Sequence, residues 1–87
     1  MLYKPGDVVK SLAGHDTGSL YIITEVDGDS LTLADGKHRG TDHPKHKNTK
    51  HVQVIHTDSD PLVRMLRAGE KVTDEQIKRF LKTFGGN

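Results

Sequence analysis

The sequence contains no cysteine and no tryptophan, and aromatic residues make up only 5% of its 87 positions. The lack of cysteine excludes disulfide bonds and thiolate metal sites, and it suits a reducing compartment. Few aromatic side chains argue against proteins that read nucleic acid by stacking bases on an aromatic platform. The longest apolar run, residues 20–23, is far too short for a membrane span or a signal-peptide core. We therefore expect a soluble, cytoplasmic protein with no membrane partner.

Positive charge is concentrated in residues 37–51, which we call the basic stretch and which contain no apolar residue except Pro44. This stretch carries five lysine or arginine residues against one aspartate, a formal charge of +4. Residues 1–36 carry two lysines against six acidic residues, a formal charge of −4. Such a concentration of positive charge is typical of a phosphate-binding surface. The alternative is a solvated loop whose lysines only keep the protein soluble.

The first part of the chain predicts a small, highly curved antiparallel sheet. Apolar and β-branched residues indicate strands at 7–12, 19–26 and 31–33, and a last strand at 52–55. Residues 13–18, which we call the glycine loop, have glycines four positions apart, a spacing that predicts a tight reversal or a close approach by another group. Asp35-Gly36 predicts a type I′ hairpin followed by a fourth strand at 37–39. The rest of the basic stretch then reads as a long loop.

The last part of the chain predicts two short helices, with a polar boundary at residues 57–60. Asp60 as N-cap, Pro61 at the first helical position and Gly69 as the stop define the first helix. Thr73 and Gln76 form a capping box that opens the second helix. An apolar stripe at helical spacing follows in Ile77, Phe80, Leu81 and Phe84. Basic residues on the same helix can contact phosphate but more often offset the helix dipole, and they are Lys78, Arg79 and Lys82.

Three blocks of the sequence resemble the KOW motif: GDVVKSLAGHDTG at 6–18, LADGKHR at 33–39 and PKHKNTKH at 44–51. The chain is similar to small bacterial KOW-domain RNA-binding proteins related to the archaeal and eukaryotic large-subunit ribosomal protein of the L-fourteen-e type. The resemblance covers about residues 6–55. It implies a mainly β fold, with an SH3-like barrel at 1–56 and a helical tail at 57–87 packed on the barrel. The chain departs from the family pattern at His43 and His46, where basic residues are expected.

The resemblance and the charge pattern together predict a non-catalytic RNA-binding protein. The resemblance implies that the protein is associated with ribosomal RNA or the ribosome, as a ribosomal protein or ribonucleoprotein component in translation. It also implies that the glycine loop and the basic stretch face RNA, and that the glycines let the backbone approach the phosphates. The predicted RNA-binding residues are Gly14, His15, Asp16, Thr17, Gly18, Lys37, His38, Arg39, Lys45, His46, Lys47, Asn48, Lys50 and His51. No catalytic residue, metal ligand or cofactor is predicted.

Four other interpretations remain open. The apolar face of the second helix favours a protein-interaction module that binds a partner helix. Four clustered histidines, residues 38, 43, 46 and 51, suggest a metal site, although all-histidine structural sites are uncommon. The same histidines suggest pH sensing, because their charge changes near pH ~6.5. Catalysis has the least support, since one small domain leaves little room for a deep cleft and no nucleophile-elbow or phosphate-loop motif is present.

Overall fold

In the computed structural model, which describes residues 3–56 and 60–85, an antiparallel five-stranded sheet is followed by two helices. The elements are β1 (Val8–Ser11), β2 (Leu20–Asp27), β3 (Ser30–Ala34), β4 (Lys45–Asn48), a 3₁₀ turn (Thr49–His51), β5 (Val52–His56), α1 (Pro61–Arg67) and α2 (Asp74–Gly85). The strand order is β4-β3-β2-β1-β5, so the last strand pairs with the first. The strands predicted at 7–12, 19–26, 31–33 and 52–55 are confirmed as β1, β2, β3 and β5.

The predicted type I′ hairpin at Asp35-Gly36 is wrong. A type I′ turn needs positive φ at both central positions, whereas no described residue other than glycine has a positive φ. The Asp35 carboxylate instead accepts the backbone N–H groups of Lys37 at 2.9 Å and Arg39 at 2.8 Å. These two hydrogen bonds bend the chain locally. Residues 37–39 are therefore not a strand.

The edge strand β4 lies where the sequence analysis placed a long loop. Its residues have no β-branched or aromatic side chain, so the sequence of β4 gives no local signal for a strand. The strand forms because β3 has a free edge whose backbone groups need partners. Thr32 pairs with His46, and Leu33 pairs with Lys45. The pairing fixes which side chains of the basic stretch point to each face of the sheet.

Apolar side chains fill both faces of the sheet, because successive residues of a strand point to opposite sides. The cluster beneath the helices comprises Val8, Ile22, Ala34, Leu62, Leu66, Ile77 and Leu81. The cluster on the other face comprises Val9, Tyr21, Ile23, Leu31, Leu33 and Val52. The helices therefore pack on the sheet and share one of its two cores.

Local signals set both ends of α1 and the start of α2 as predicted. The Asp60 carboxylate accepts the N–H of Leu62 at 2.9 Å, and Gly69 follows α1 with a φ of 78°. The hydroxyl of Thr73 accepts the N–H of Gln76 at 3.1 Å, and the Gln76 side chain accepts the N–H of Thr73 at 2.8 Å. Residues 57–59, most of the predicted polar boundary, lie outside the described residues. Within 3–56 and 60–85, no helix combines the length and apolar character needed to cross a membrane.

An ion pair between a buried carboxylate and a partly exposed arginine fastens α1 to the residue before β1. Asp7 is 1% exposed, and its Oδ1 lies 2.9 Å from the Arg67 guanidinium. Arg67 also donates to the carbonyl of Pro5 at 3.1 Å. Because a buried carboxylate is costly without a partner, this pair makes the position of α1 part of the fold of the sheet.

Candidate nucleic-acid interface

The glycine loop is a compact reversal held by its own backbone. Gly14 and Gly18 both have positive φ, 91° and 92°, which is the conformation that their spacing predicted. The N–H of Gly18 donates to the carbonyl of Ser11 at 2.8 Å, and the N–H of Ser19 donates to the carbonyl of Asp16 at 2.9 Å. A Cβ added at Gly18 would meet nothing within 4 Å. The outer side of the loop is therefore open, while its shape is fixed.

Asp16 occupies the centre of the loop and has four side-chain partners. Its carboxylate accepts hydrogen bonds from Ser11 Oγ at 2.9 Å and Tyr21 Oη at 2.7 Å. The ammonium groups of Lys45 and Lys47 lie 3.2 and 3.3 Å from its two oxygens. The side chain of Asp16 is only 14% exposed. Asp16 therefore joins the glycine loop to β4 and to the sheet core through Tyr21.

The ionisation of this cluster follows from its hydrogen bonds. Burial by itself raises the pKa of Asp16, but hydrogen bonds from Tyr21, Ser11, Lys45 and Lys47 outweigh burial and hold that pKa well below its usual range. For Tyr21, burial and then the bond to the Asp16 carboxylate raise the pKa above its usual value. At neutral pH Asp16 is thus a carboxylate and Tyr21 a neutral phenol.

The pairing with Asp16 changes what two of the predicted RNA-binding lysines offer. Lys47 is 12% exposed and also donates to the carbonyl of Ala13 at 3.0 Å. Lys45 is more open, at 26%. Two lysines sharing one carboxylate keep a net charge of +1, so this part of the surface is less positive than the sequence alone suggests.

The other predicted residues of β4 and the 3₁₀ turn point away from this cluster. His46 and Asn48 alternate with the two lysines and are exposed on the other face of the strand. The Asn48 side chain accepts the N–H of Lys50 at 3.0 Å and so caps the 3₁₀ turn. The carbonyl of His51 accepts the N–H of Leu12 at 2.8 Å, which places the turn beside the start of the glycine loop.

The remaining predicted residues lie in the bend after β3 or on the rim of the loop. Lys37 and His38 are exposed, and Arg39 is half-buried. His15 and Thr17 are exposed on the glycine loop, where the Thr17 hydroxyl donates to the carbonyl of Gly14 at 2.6 Å. The predicted residues thus surround the glycine loop from two sides, β4 on one and the bend after β3 on the other.

The sequence analysis considered phosphate contacts from α2 but did not include its basic residues in the predicted RNA-binding set. Lys78 and Lys82 line one cleft together with Lys37 and Gly18. Their spacing of four residues on a helix was visible in the sequence, but helix position gave them another explanation. Only the packing of α2 brings these two lysines to the edge of the glycine loop.

The histidines do not assemble into a metal site in the part of the chain that the structure describes. Within residues 3–56 and 60–85, no group of three or more His, Asp or Glu side chains is arranged to hold a metal ion. His46 contacts Thr32 at 3.4 Å between Nδ1 and Oγ1.

No model of a known protein family matches this chain, and no curated protein matches it in sequence. The candidate interface therefore rests on the positions, partners and charges of the described residues.

Proposed function

We propose that this chain is a cytoplasmic, non-catalytic RNA-binding protein of KOW type that binds ribosomal RNA through its phosphates. One observation carries the proposal. The Asp16 cluster holds the glycine loop beside β4, so an open loop and the centre of the basic stretch lie on one surface. Lysine ammonium groups beside an exposed loop are common ligands of a nucleic-acid backbone.

The proposal includes an SH3-like barrel for residues 1–56 and a tail for 57–87 packed on that barrel. The strand order supports the barrel, because β5 returns to pair with β1. A core cluster made of strand residues on the face opposite the helices supports it further. In such a barrel the glycine loop and β4 lie at the same end, next to each other.

The packing of the aromatic residues favours recognition of RNA phosphates over stacking of RNA bases. Tyr21 is buried, and Tyr3 is half-buried, with its hydroxyl donating to the carbonyl of Thr49 at 3.3 Å. Phe80 and Phe84 of α2 stack on each other with ring centroids 6.3 Å apart. Specificity then comes from the shape of the RNA. With about four phosphate contacts on single-stranded RNA, a plot of log affinity against log salt concentration has a slope of roughly −3.

An NMR titration of the labelled protein with a ribosomal RNA fragment at low salt tests the proposal. We expect the largest amide shifts in residues 14–18, 37–39 and 45–51. Lys50→Gln removes an exposed charge from the basic stretch and is expected to weaken binding roughly fivefold at about 0.1 M salt. Lys71→Gln, an exposed lysine outside the stretch, is the matched control. Shifts that avoid both the glycine loop and the basic stretch would contradict the proposal.

A protein-interaction module is the second candidate, and one observation favours it. Met65, Phe80 and Phe84 line an apolar groove of about 400 Å³ between α1 and α2. The same helix face also supplies Ile77 and Leu81, which are buried against the sheet, so only part of the apolar stripe is open. Failure of the protein to bind RNA at low salt would favour this second candidate.

A further inference from the structure

A cleft of about 510 Å³ separates the glycine loop from α2. Gly18 lies on its rim at the end of the glycine loop, and Lys37 enters from the bend after β3. Lys78 and Lys82 enter from α2. Three stretches that are far apart in the sequence therefore contribute to one concave surface.

Positive charges outnumber negative ones in this cleft, and its lysines form no ion pair with the described residues. Lys37, Lys78 and Lys82 are all exposed, and no ion pair within residues 3–56 and 60–85 engages any of them. The one acid in the cleft is Asp35, whose carboxylate already accepts two backbone N–H groups. The lysines at the Asp16 cluster, in contrast, share a carboxylate. In the part of the chain that the structure describes, the charge of the three cleft lysines is therefore not neutralised by an ion pair.

The packing of α2 fixes the position of these lysines. The backbone of α2 comes so close to Gly36 that an added Cβ there would lie 2.7 Å from the N atom of Lys78 and would clash with the carbonyl oxygen of Asp74. Lys78 is therefore held against the bend that carries Lys37. Lys82 follows one helical turn later on the same side of α2. The charges converge because of the fold.

The apolar floor strengthens the field of the lysines. Leu20 and Leu81 line the cleft between the charged side chains, and Leu81 belongs to the core. A cleft with charges of one sign and walls of low dielectric constant concentrates counter-ions. The cleft is lined by lysines of two separate elements, the bend after β3 and α2.

The helix dipole does not account for both lysines of α2. Lys82 lies in the last turn, where a cation is favourable. Lys78 is the fifth residue of Asp74–Gly85, in the first half of the helix, where the dipole gives a cation no advantage. Its position is better explained by the surface that it shares with Lys37.

We propose that this lysine cleft binds a phosphodiester of the RNA backbone, so that the RNA-binding surface extends from the glycine loop onto α2. The inference rests on the proposed function and names a further part of the same interface. RNA suits the surface because the cleft and the Asp16 cluster lie on opposite sides of one loop, so a polyanionic strand crossing the loop meets both. An acidic protein segment is the alternative ligand. The experiment distinguishes it from RNA by comparing the binding of RNA with the binding of polyglutamate.

The test compares the double variant Lys78→Gln/Lys82→Gln with a charge-matched control, Lys4→Gln/Lys71→Gln. Lys4 and Lys71 are exposed and lie outside the cleft. Affinity for a ribosomal RNA fragment is measured by fluorescence anisotropy over a range of salt concentrations. If two contacts are lost, affinity falls roughly 25-fold at about 0.1 M salt, and the salt slope becomes shallower by about 1.4. We expect little change for the control, and similar thermal unfolding for all three proteins because every substituted lysine is exposed.

The possible results distinguish a failure of the proposed function from a failure of the inference about the cleft. If the unmodified protein does not bind RNA, the proposed function is wrong and the inference falls with it. If that protein binds RNA and the cleft variant binds as well as the control, the cleft is not part of the interface while the proposed function stands. If polyglutamate of equal charge binds as tightly as RNA and loses affinity equally in the cleft variant, the ligand of the cleft is not a phosphate. Loss of RNA binding in the cleft variant, with weak polyglutamate binding, supports the inference.

Discussion

At the scale of single residues, Asp16 organises the candidate interface although it carries the wrong charge to bind RNA. Four side chains converge on its carboxylate, two of them from a strand about 30 positions later in the sequence. Asp16 was predicted as an RNA-binding residue, but its contacts are internal, so we assign it a positioning role within the proposed site. It fixes the glycine loop against β4 and sets how much lysine charge remains for a ligand.

Asp16→Asn is expected to destabilise the protein by about 2 kcal/mol at pH 7, because it removes a charge that holds two lysines and leaves Lys47 largely buried without a carboxylate. For a chain of this size, that loss lowers the midpoint of thermal unfolding by roughly 8–16 °C. Asp27→Asn, at an exposed position of β2, is the control and is expected to change stability by less than about 0.5 kcal/mol. Equal melting of the two variants would mean that the cluster contributes nothing to folding.

The stability difference between the unmodified protein and Asp16→Asn is expected to depend on pH, with a sign that follows from the pKa of Asp16. Hydrogen bonds keep the pKa of Asp16 low in the folded state, so the unfolded chain takes up the proton more readily. Its contribution is therefore complete well above the unfolded pKa of about 3.9 and is lost progressively as pH falls from about one unit above that value toward the lower folded-state pKa. The stability difference between the unmodified protein and Asp16→Asn is expected to narrow between about pH 5 and pH 3 in urea unfolding. A constant difference over that range would exclude an ionised Asp16 as the cause.

At the scale of elements, the features that depend on interactions between sequence neighbours, such as helix caps, could be predicted from the sequence. Asp60, Gly69, Thr73 and Gln76 act on backbone groups within a few residues, and both helices begin, and α1 ends, where these residues placed them. The fourth strand could not be found in this way, since β4 depends on the free edge of β3. Likewise, nothing near Asp16 in the sequence identifies Lys45 and Lys47 as its partners. The candidate residues were therefore predicted better than their arrangement.

The contact between α2 and the bend after β3 shows why the Asp35-Gly36 prediction was wrong. Gly36 has a φ of 76°, as a turn residue would, but its lack of a side chain also admits the backbone of α2 at Asp74 and Lys78. The carboxylate of Asp74 in turn accepts the N–H of Thr41 at 2.7 Å. The chain after β3 thus follows the first turn of α2, an element that lies far along the sequence.

Gly36→Ala is expected to cost about 3 kcal/mol, from roughly 1 kcal/mol for a side chain at positive φ and a further 1–3 kcal/mol for forcing α2 away from the bend. Gly18→Ala is the matched control. It has the same kind of backbone, with a φ of 92°, but nothing lies within 4 Å of an added Cβ, so only about 1 kcal/mol is expected. Urea unfolding of the two variants measures the difference. Equal losses would mean that α2 does not pack this closely on Gly36.

At the scale of the whole molecule, one sheet separates two cores and makes them depend on each other. Val8 packs under the helices and Val9, its neighbour, packs on the other face, so neither core keeps its shape if β1 moves. The Asp7–Arg67 ion pair adds a polar connection between α1 and the start of the same strand. We therefore expect the sheet and the two helices to unfold together as one unit.

Ile77→Ala tests this dependence from the helix side. Ile77 is 0% exposed and packs in the cluster that contains Val8 and Ile22, so its truncation is expected to cost about 3 kcal/mol. In one cooperative unit, amide signals from β1–β3 and from α2 disappear at the same lowered urea concentration. Ile55→Ala, on a side chain that is 38% exposed, is the control and should move the transition far less.

If the α2 signals were lost early while those of the sheet kept their original midpoint, the tail would be an independent unit. The lysine cleft would then open before the sheet unfolds, because Lys78 and Lys82 reach the glycine loop only while α2 is packed.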